Sequence, residues 1–247
     1  MMSKAEGDVL HSLARRKVTK IGDKVIKDGP NLRVHEAETL RFIAANTSIP
    51  VPNVHDVRWQ DGRVTEIVMD FVPGKTLEDA WENMDSNQKA CVTEELRGYM
   101  CELRQLKGSY IGALDRGPVI AGKYGPLVGG PFDTEQQFNE FLLGDIARSI
   151  PDLLRHYAKH ALDNDHEIVF THADFAPRNV LVDDQGHVTA IIDWEDSGWY
   201  PEYWEYVKAM RELNSVPDWP EYLSQILPPR YEKEYIGMTF LNFMLRT

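Results

Sequence analysis

The sequence predicts an α+β fold in two lobes, a small antiparallel sheet carrying one helix followed by a larger, mainly helical lobe. Three observations lead there. Short strand-like runs with tight turns dominate residues 1–72, Pro73-Gly74 interrupts the pattern, and apolar residues at helical spacing prevail beyond it. The boundary is expected between 1–72 and 73–247, with a hinge near 69–75.

In the first lobe, Val18 to Ile21 and Lys24 to Lys27 are two strand-like runs joined by Gly22-Asp23, a pair suited to a tight hairpin. Asp28, Gly29 and Pro30 end the second run. Leu32 to Asn46 reads as a helix, because Ala37, Leu40, Ile43 and Ala44 recur at its period, and Ile49-Pro50-Val51-Pro52 then forces extended chain. Val64 to Phe71 returns as a strand.

In the second lobe, Ser86 is expected to cap a helix whose Val92, Leu96, Tyr99, Leu103 and Leu106 form one buried stripe. Thr134 with Gln137 resembles a capping box ahead of Phe138, Phe141, Leu142 and Ile146. Ile168-Val169-Phe170 is a strand leading into Thr171-His172-Ala173-Asp174-Phe175-Ala176-Pro177-Arg178-Asn179. Val180-Leu181-Val182 and Val188 to Ile192 then flank the turn-forming Asp183-Asp184-Gln185-Gly186-His187, a second hairpin.

Composition narrows the partners. A chain of 247 residues, 43% hydrophobic, buries a sizeable core, and a net charge of -12 argues against an extended nucleic-acid surface. The opening residues form neither a signal peptide nor a spanning helix, so a cytoplasmic protein without a membrane partner is expected; oligomeric state has no signal. Cys91 and Cys101, ten positions apart, are expected to be ordinary buried thiols. His156 and His160 have a zinc-compatible spacing but no evident third ligand, and read as a solvated helix face.

The chemistry concentrates at the second hairpin. If Val182 lies near Val188, Asn179 and Asp193 meet at the open end, with Asp174 in the same loop. Two carboxylates and an amide oxygen are the hard donors that Mg²⁺ takes, and phosphoryl transfer relies on such charge neutralisation and on a positioned acceptor. Asp174 would receive or orient the acceptor's hydroxyl proton.

His172-x-Asp174 followed by Asn179, and Ile191-Ile192-Asp193, resemble the catalytic and metal loops of the aminoglycoside phosphotransferase and choline kinase superfamily. Ser197 to Glu205 and Gly130 to Thr134 look like segments of its fungal phosphotransferase members. The resemblance implies a protein-kinase-like fold and transfer of the γ-phosphoryl group of ATP, or GTP, to a hydroxyl of a small acceptor, amine-bearing acceptors included. It implies Asp174 as the catalytic residue, Asn179 and Asp193 as Mg²⁺ ligands, and His172 as a brace of the loop. It further implies that Lys27 touches nucleotide phosphates, that Glu38 holds Lys27, and that the Asp70 carbonyl and Val72 amide meet the adenine edge.

The sequence departs from the family at two points. Only Gly7 precedes Gly22, so the glycine-rich cover over the phosphates is expected to be shortened or missing, giving an abbreviated first lobe. Ala173 stands where many relatives carry glycine. The first departure sustains an alternative function, a nucleotide-binding module with weak or no transfer. A protein kinase is disfavoured, since no Ala-Pro-Glu element follows Asp193. Trp199, Tyr200, Tyr203 and Trp204 either line an acceptor pocket or pack in the core, and Asp196, Glu202 and Glu205 either draw an amine or form a wet helix face.

Overall fold

The computed structural model describes residues 7–13, 16–121, 127–144 and 151–244. Six segments build the first lobe: β1 (Asp8–Leu13), β2 (Arg16–Ile21), β3 (Lys24–Leu32), α1 (Val34–Asn46), β4 (Val54–Gln60) and β5 (Arg63–Asp70). The strands form one antiparallel sheet in the order β1-β2-β3-β5-β4. As expected, β2 and β3 close on Gly22-Asp23, with Ile21 opposite Lys24 and Gly22 at φ 64°.

Two strands were not visible in the sequence. β4 is an edge strand whose His55, Asp56, Arg58, Trp59 and Gln60 are all exposed, so it lacks the alternation that marks a half-buried strand. Its partner β5 returns through Asp61-Gly62, both at positive φ, the geometry of a tight hairpin. β1 pairs with β2 ahead of the lysine strand although Val9 and Leu10 are exposed. The lobe thus carries five strands, and what it lacks is glycine between the first two: Gly7 precedes β1, and positions 14–15, between β1 and β2, lie outside the described residues.

The second lobe opens with β6 (Lys75–Thr76), α2 (Leu77–Ala80) and α3 (Ser86–Gln105). The cap of α3 is Asp85 rather than Ser86: Asp85 accepts from the Asn87 and Gln88 N–H groups while Gln88 reaches back to its backbone. After β7 (Val119–Ile120) and β8 (Val128–Gly129) come α4 (Glu135–Gly144) and α5 (Asp152–Lys159). Thr134 caps α4 by accepting from Gln137 N–H at 3.2 Å, whereas Gln137 returns its bond to Asp133. Ile146 lies outside the described residues.

The remaining elements are β9 (Ile168–Thr171), β10 (Val180–Val182), β11 (Val188–Ile191), β12 (Gly198–Pro201), α6 (Trp204–Ala209), α7 (Trp219–Ile226) and α8 (Glu232–Met244). β10 and β11 form the expected hairpin, Val182 opposite Val188, and β6 joins them as a third strand. The core runs through both lobes. Ala37, Leu40 and Ile43 of α1 are buried, and Phe42 packs on Phe170 and Trp199 of the second lobe. A fully buried Ile or Leu contributes about 1.5–3 kcal/mol, so these residues anchor α1 in the core, and Phe42 joins it to the second lobe. Tyr200, Tyr203 and Trp204 are also buried in the core, which settles their role as packing. Among the described residues, no helix is long and apolar enough to cross a membrane.

Candidate functional site

The loop between β9 and β10 is set by its own backbone. Ala173 takes φ 65°, in the left-handed region that costs a non-glycine residue roughly 1–2 kcal/mol. The strain is held by Glu205, whose carboxylate accepts from the His172 and Ala173 N–H groups at 2.6 and 3.2 Å. Burial pushes the Glu205 carboxyl upward, and these bonds occupy it, so it is a brace and not a surface lure for an amine. Glu202 is taken by the Tyr231 hydroxyl at 2.7 Å.

His172 is fully buried. Its Nδ1 accepts from Asp174 N–H at 3.2 Å, which leaves Nε2 to donate to the Ile192 carbonyl at 3.0 Å, tying the loop to the residue before Asp193. Asn179 and Asp193 come together through the ladder: Val180 pairs with Ile191, and Ile192 N–H donates to the Asn179 carbonyl at 2.9 Å. The Asn179 amide nitrogen donates to the Asp174 carboxylate at 2.9 Å and to its carbonyl at 2.8 Å. Both amide hydrogens are directed at Asp174, so the Asn179 amide oxygen is the part available to a cation.

Arg178 is the residue that sequence reasoning passed over. Its Nη2 donates to both Asp174 carboxylate oxygens at 2.8 and 2.9 Å, while Nη1 reaches Glu212 at 2.8 Å. With Asn179 these bonds fill three of about four acceptor positions on Asp174 and aim the remaining one. A cation four residues after the loop aspartate was the available signal. On the same side, burial lowers both Lys208 and Arg211 and raises Asp196, whose nearest opposing influence is Lys208. That wall therefore carries both signs of charge.

From the first lobe, Lys27 on β3 reaches across the cleft. Its ammonium donates to Glu36 at 2.8 and 2.9 Å and to Asp193 at 2.9 Å, with Glu195 at 3.6 Å. Burial opposes the charge, yet attraction to Glu36, then Asp193 and Glu195, raises the ammonium above its usual range. Burial by itself would raise Asp193, but Lys27 outweighs it and holds the carboxyl below the ordinary range. The partner of Lys27 on α1 is Glu36, which corrects the expectation of Glu38. Glu36 is buried and turned toward β3, whereas Glu38, two positions on, is about 200° around the helix and only half-buried.

Asp70 and Val72 flank Phe71, whose N–H is held by the Asp23 carbonyl at 2.9 Å, where the chain leaves β5 for the second lobe. The Asp70 carboxylate is engaged by Asn53 and His55. A second seam closes the cleft beside Asp193: Arg16 of β2 pairs with Glu195, and Arg33 donates to the Glu195 carbonyl at 3.0 Å.

The donor set suits a hard cation. Carboxylate oxygens of Glu36, Asp193 and Glu195 lie within 4.8 Å of one another, and the Asn179 amide joins the same hairpin mouth. Asp193 itself sits at φ 64°, a conformation that turns its side chain away from the ladder and toward Lys27.

A sheet lobe joined to a helical lobe, with this hairpin facing the lysine strand, defines a protein-kinase-like fold of the aminoglycoside phosphotransferase type. The chain belongs to the phosphotransferase enzyme family, which it matches over residues 10–227. It is similar to the Clavilactone A biosynthesis cluster protein Y of Ampulloclitocybe clavipes, 26% identical over 194 residues, covering 65% of this chain and 48% of that protein. The chain thus spans about half the length of this curated relative. Among solved structures, the GDP complex of wild-type aminoglycoside 2'-phosphotransferase-IIIa is 13% identical with a TM-score of 0.62, covering 99% of this chain and 94% of that one. A thermostable aminoglycoside phosphotransferase APH(4)-Ia variant, in a ternary complex with ADP and hygromycin B, is 16% identical with a TM-score of 0.57, covering 98% and 94%. At these identities the likeness is one of fold.

Proposed function

We propose that the chain transfers the γ-phosphoryl group of ATP or GTP to a hydroxyl of a small molecule. Asp174 takes the hydroxyl proton as the acceptor oxygen bonds to phosphorus, and the bond from phosphorus to the bridging oxygen breaks to release the nucleoside diphosphate. Arg178 and Asn179 aim the Asp174 carboxylate. Lys27, held by Glu36, meets nucleotide phosphates, and the Asp70 carbonyl and Val72 amide meet the base. Asn179 and Asp193 would hold Mg²⁺, which supplies charge neutralisation for the phosphate oxygens. The lobes divide at 1–72 and 73–247, and the protein acts in the cytoplasm.

One observation carries this reading: Lys27 of β3 touches Asp193 at 2.9 Å across the cleft, on the hairpin that also presents Asn179 beside Asp174. Nucleotide structures of the similar folds support the co-substrate class. The acceptor wall, with Asp196 beside Lys208 and Arg211, suits polar acceptors of either charge, amines among them. The test is a nucleotide-consumption screen over aminoglycosides, choline-like amines, sugars and fungal metabolites, with Asp174→Asn as the control. Turnover that survives Asp174→Asn removes that residue from the role.

The glycine-poor first hairpin favours a second reading, a nucleotide-binding module without transfer. A thermal shift with MgATP, combined with no turnover against any acceptor, selects it.

A further inference from the structure

The opposite end of the catalytic hairpin holds a second group of side chains of metal-ligating type. Cys91 and Glu95 lie four residues apart on α3 and so share one face, and His187 projects from the β10–β11 turn against it. The Cys91 sulfur is 3.5 Å from His187 Nδ1 and 3.7 Å from Glu95 Oε1, and Nδ1 is 2.7 Å from Oε1. The expectation of ordinary buried thiols fails here, since Cys91 is half-buried and Cys101 exposed.

We propose that Cys91, Glu95 and His187 form a zinc site that fastens helix α3 to the turn of the catalytic hairpin. Sulfur, nitrogen and oxygen at ordinary zinc bond lengths on one face of a tetrahedron stand about 3.3–3.6 Å apart. The sulfur–nitrogen edge, at 3.5 Å, already has that length, and the sulfur–oxygen edge, at 3.7 Å, lies just beyond it. The third, now a hydrogen bond, opens by roughly 0.6 Å when it is exchanged for metal bonds. Mixed thiolate, imidazole and carboxylate donors select zinc over magnesium or calcium. One thiolate and one carboxylate cancel the dication's charge. The thiol proton and the Nδ1 proton of the imidazolium both go to buffer, the ring keeps its proton on Nε2, and water completes the tetrahedron.

Without a metal the contacts are an ion pair between His187 and Glu95 with the Cys91 thiol donating to Glu95; what points to a metal is that sulfur, nitrogen and oxygen donors converge within 4.8 Å of one another. The supports around the group are those of a preorganised site. The second carboxylate oxygen of Glu95 is fixed by Val188 N–H at 2.7 Å, so Oε1 is the one presented. The turn is held by Asp183, which accepts from His187 N–H at 2.9 Å, and it is docked on α3 by Gln88 donating to the Asp184 carbonyl at 3.0 Å. Gly186 at φ 87° permits that approach, since a Cβ there would stand 2.9 Å from Gln88 Cβ. His187 is 58% exposed and Glu95 27%, so an ion has an open path.

The test is titration of the full chain with Zn²⁺ against a chromophoric chelator, repeated with Cys91→Ser and with His187→Asn. The histidine variant sits in an exposed turn and keeps the test open if the cysteine variant does not fold. Expected are one tight zinc per chain and a loss of affinity in each variant at least as large as the roughly 10–100-fold cost of an outer-shell partner. Cobalt in place of zinc should show a thiolate charge-transfer band, and zinc should shield Cys91 from iodoacetamide while Cys101 still reacts. Absence of tight zinc, equal affinity in both variants, or cobalt bound without that band would overturn the site. Those last two results would place the ion at the carboxylates of the opposite hairpin end.

Discussion

The two ends of the β10–β11 hairpin make an instructive pair. At the open end, Asn179, Asp193 and Asp174 are oxygen donors, clasped by cations from both lobes. At the closed end, His187 meets Cys91 and Glu95 of one helix in the same lobe, with solvent alongside. The ladder between them is short and apolar, its Val180, Val182 and Ile191 buried. A single β-unit thus presents hard ligands across the cleft and softer ones within a lobe, and the chemistry of each end follows from what packs against it.

The strongest way to break this contrast is to neutralise one carboxylate at each end. Asp174→Asn should lower transfer by roughly 10²–10⁴-fold with nucleotide affinity retained, whereas Asp183→Asn at the turn should leave the rate within about twofold. Steady-state kinetics on any acceptor found by the screen decides it, and equal losses would erase the functional difference between the ends.

Next in size is the partner of Lys27. Glu36→Ala leaves the buried Lys27 ammonium with Asp193 and Glu195 alone and should cost about 2 kcal/mol of stability, together with weaker nucleotide binding, while Glu38→Ala should change either only slightly. Chemical denaturation and nucleotide titration of the two variants sharpen which side of α1 serves the cleft.

That choice also marks how far the sequence could be read. The hairpins, the loop from His172 to Asn179 and the meeting of Asn179 with Asp193 were legible because turn residues and β-branched flanks fix them locally. Glu36 was not, because its selection over Glu38 depends on the rotation of α1 against β3, a tertiary fact. β4 escaped notice because an edge strand needs no apolar alternation. Arg178 was in plain view, yet only the fold of the loop brings its guanidinium onto Asp174 and Glu212. His187 lies 92 positions beyond Glu95, so no local pattern joins it to the Cys91–Glu95 pair.

A smaller effect tests the closed end by shape alone. Gly186→Ala would force a left-handed φ on alanine and press Cβ against α3, so a loss of about 1–2 kcal/mol is expected in thermal or denaturant unfolding. An unchanged midpoint would mean that the turn docks on α3 only loosely.

The smallest effect concerns the seam from α1 to the chain following Asp193. His35 Nε2 donates to the Ser197 carbonyl at 2.8 Å, leaving Nδ1 buried without a partner, and burial depresses the ring's pKa. The unfolded chain therefore binds the proton more readily than the folded one. Its contribution to stability is present above the unfolded value and is lost as pH falls through the folded one. Melting curves of wild type and His35→Gln should converge in mild acid relative to neutral pH, and a constant gap would exclude the histidine as the source.

The contact between Lys27 and Asp193 has one more consequence. On the proposed roles, a newcomer to the cleft enters by exchange, since each site it seeks already has an occupant. Magnesium by itself must win Asp193 from an ammonium, and free nucleotide must draw Lys27 from a carboxylate. Arriving together, each supplies a replacement for the bond the other breaks. Metal and nucleotide should therefore assist one another's binding equally, in both directions, as linkage requires.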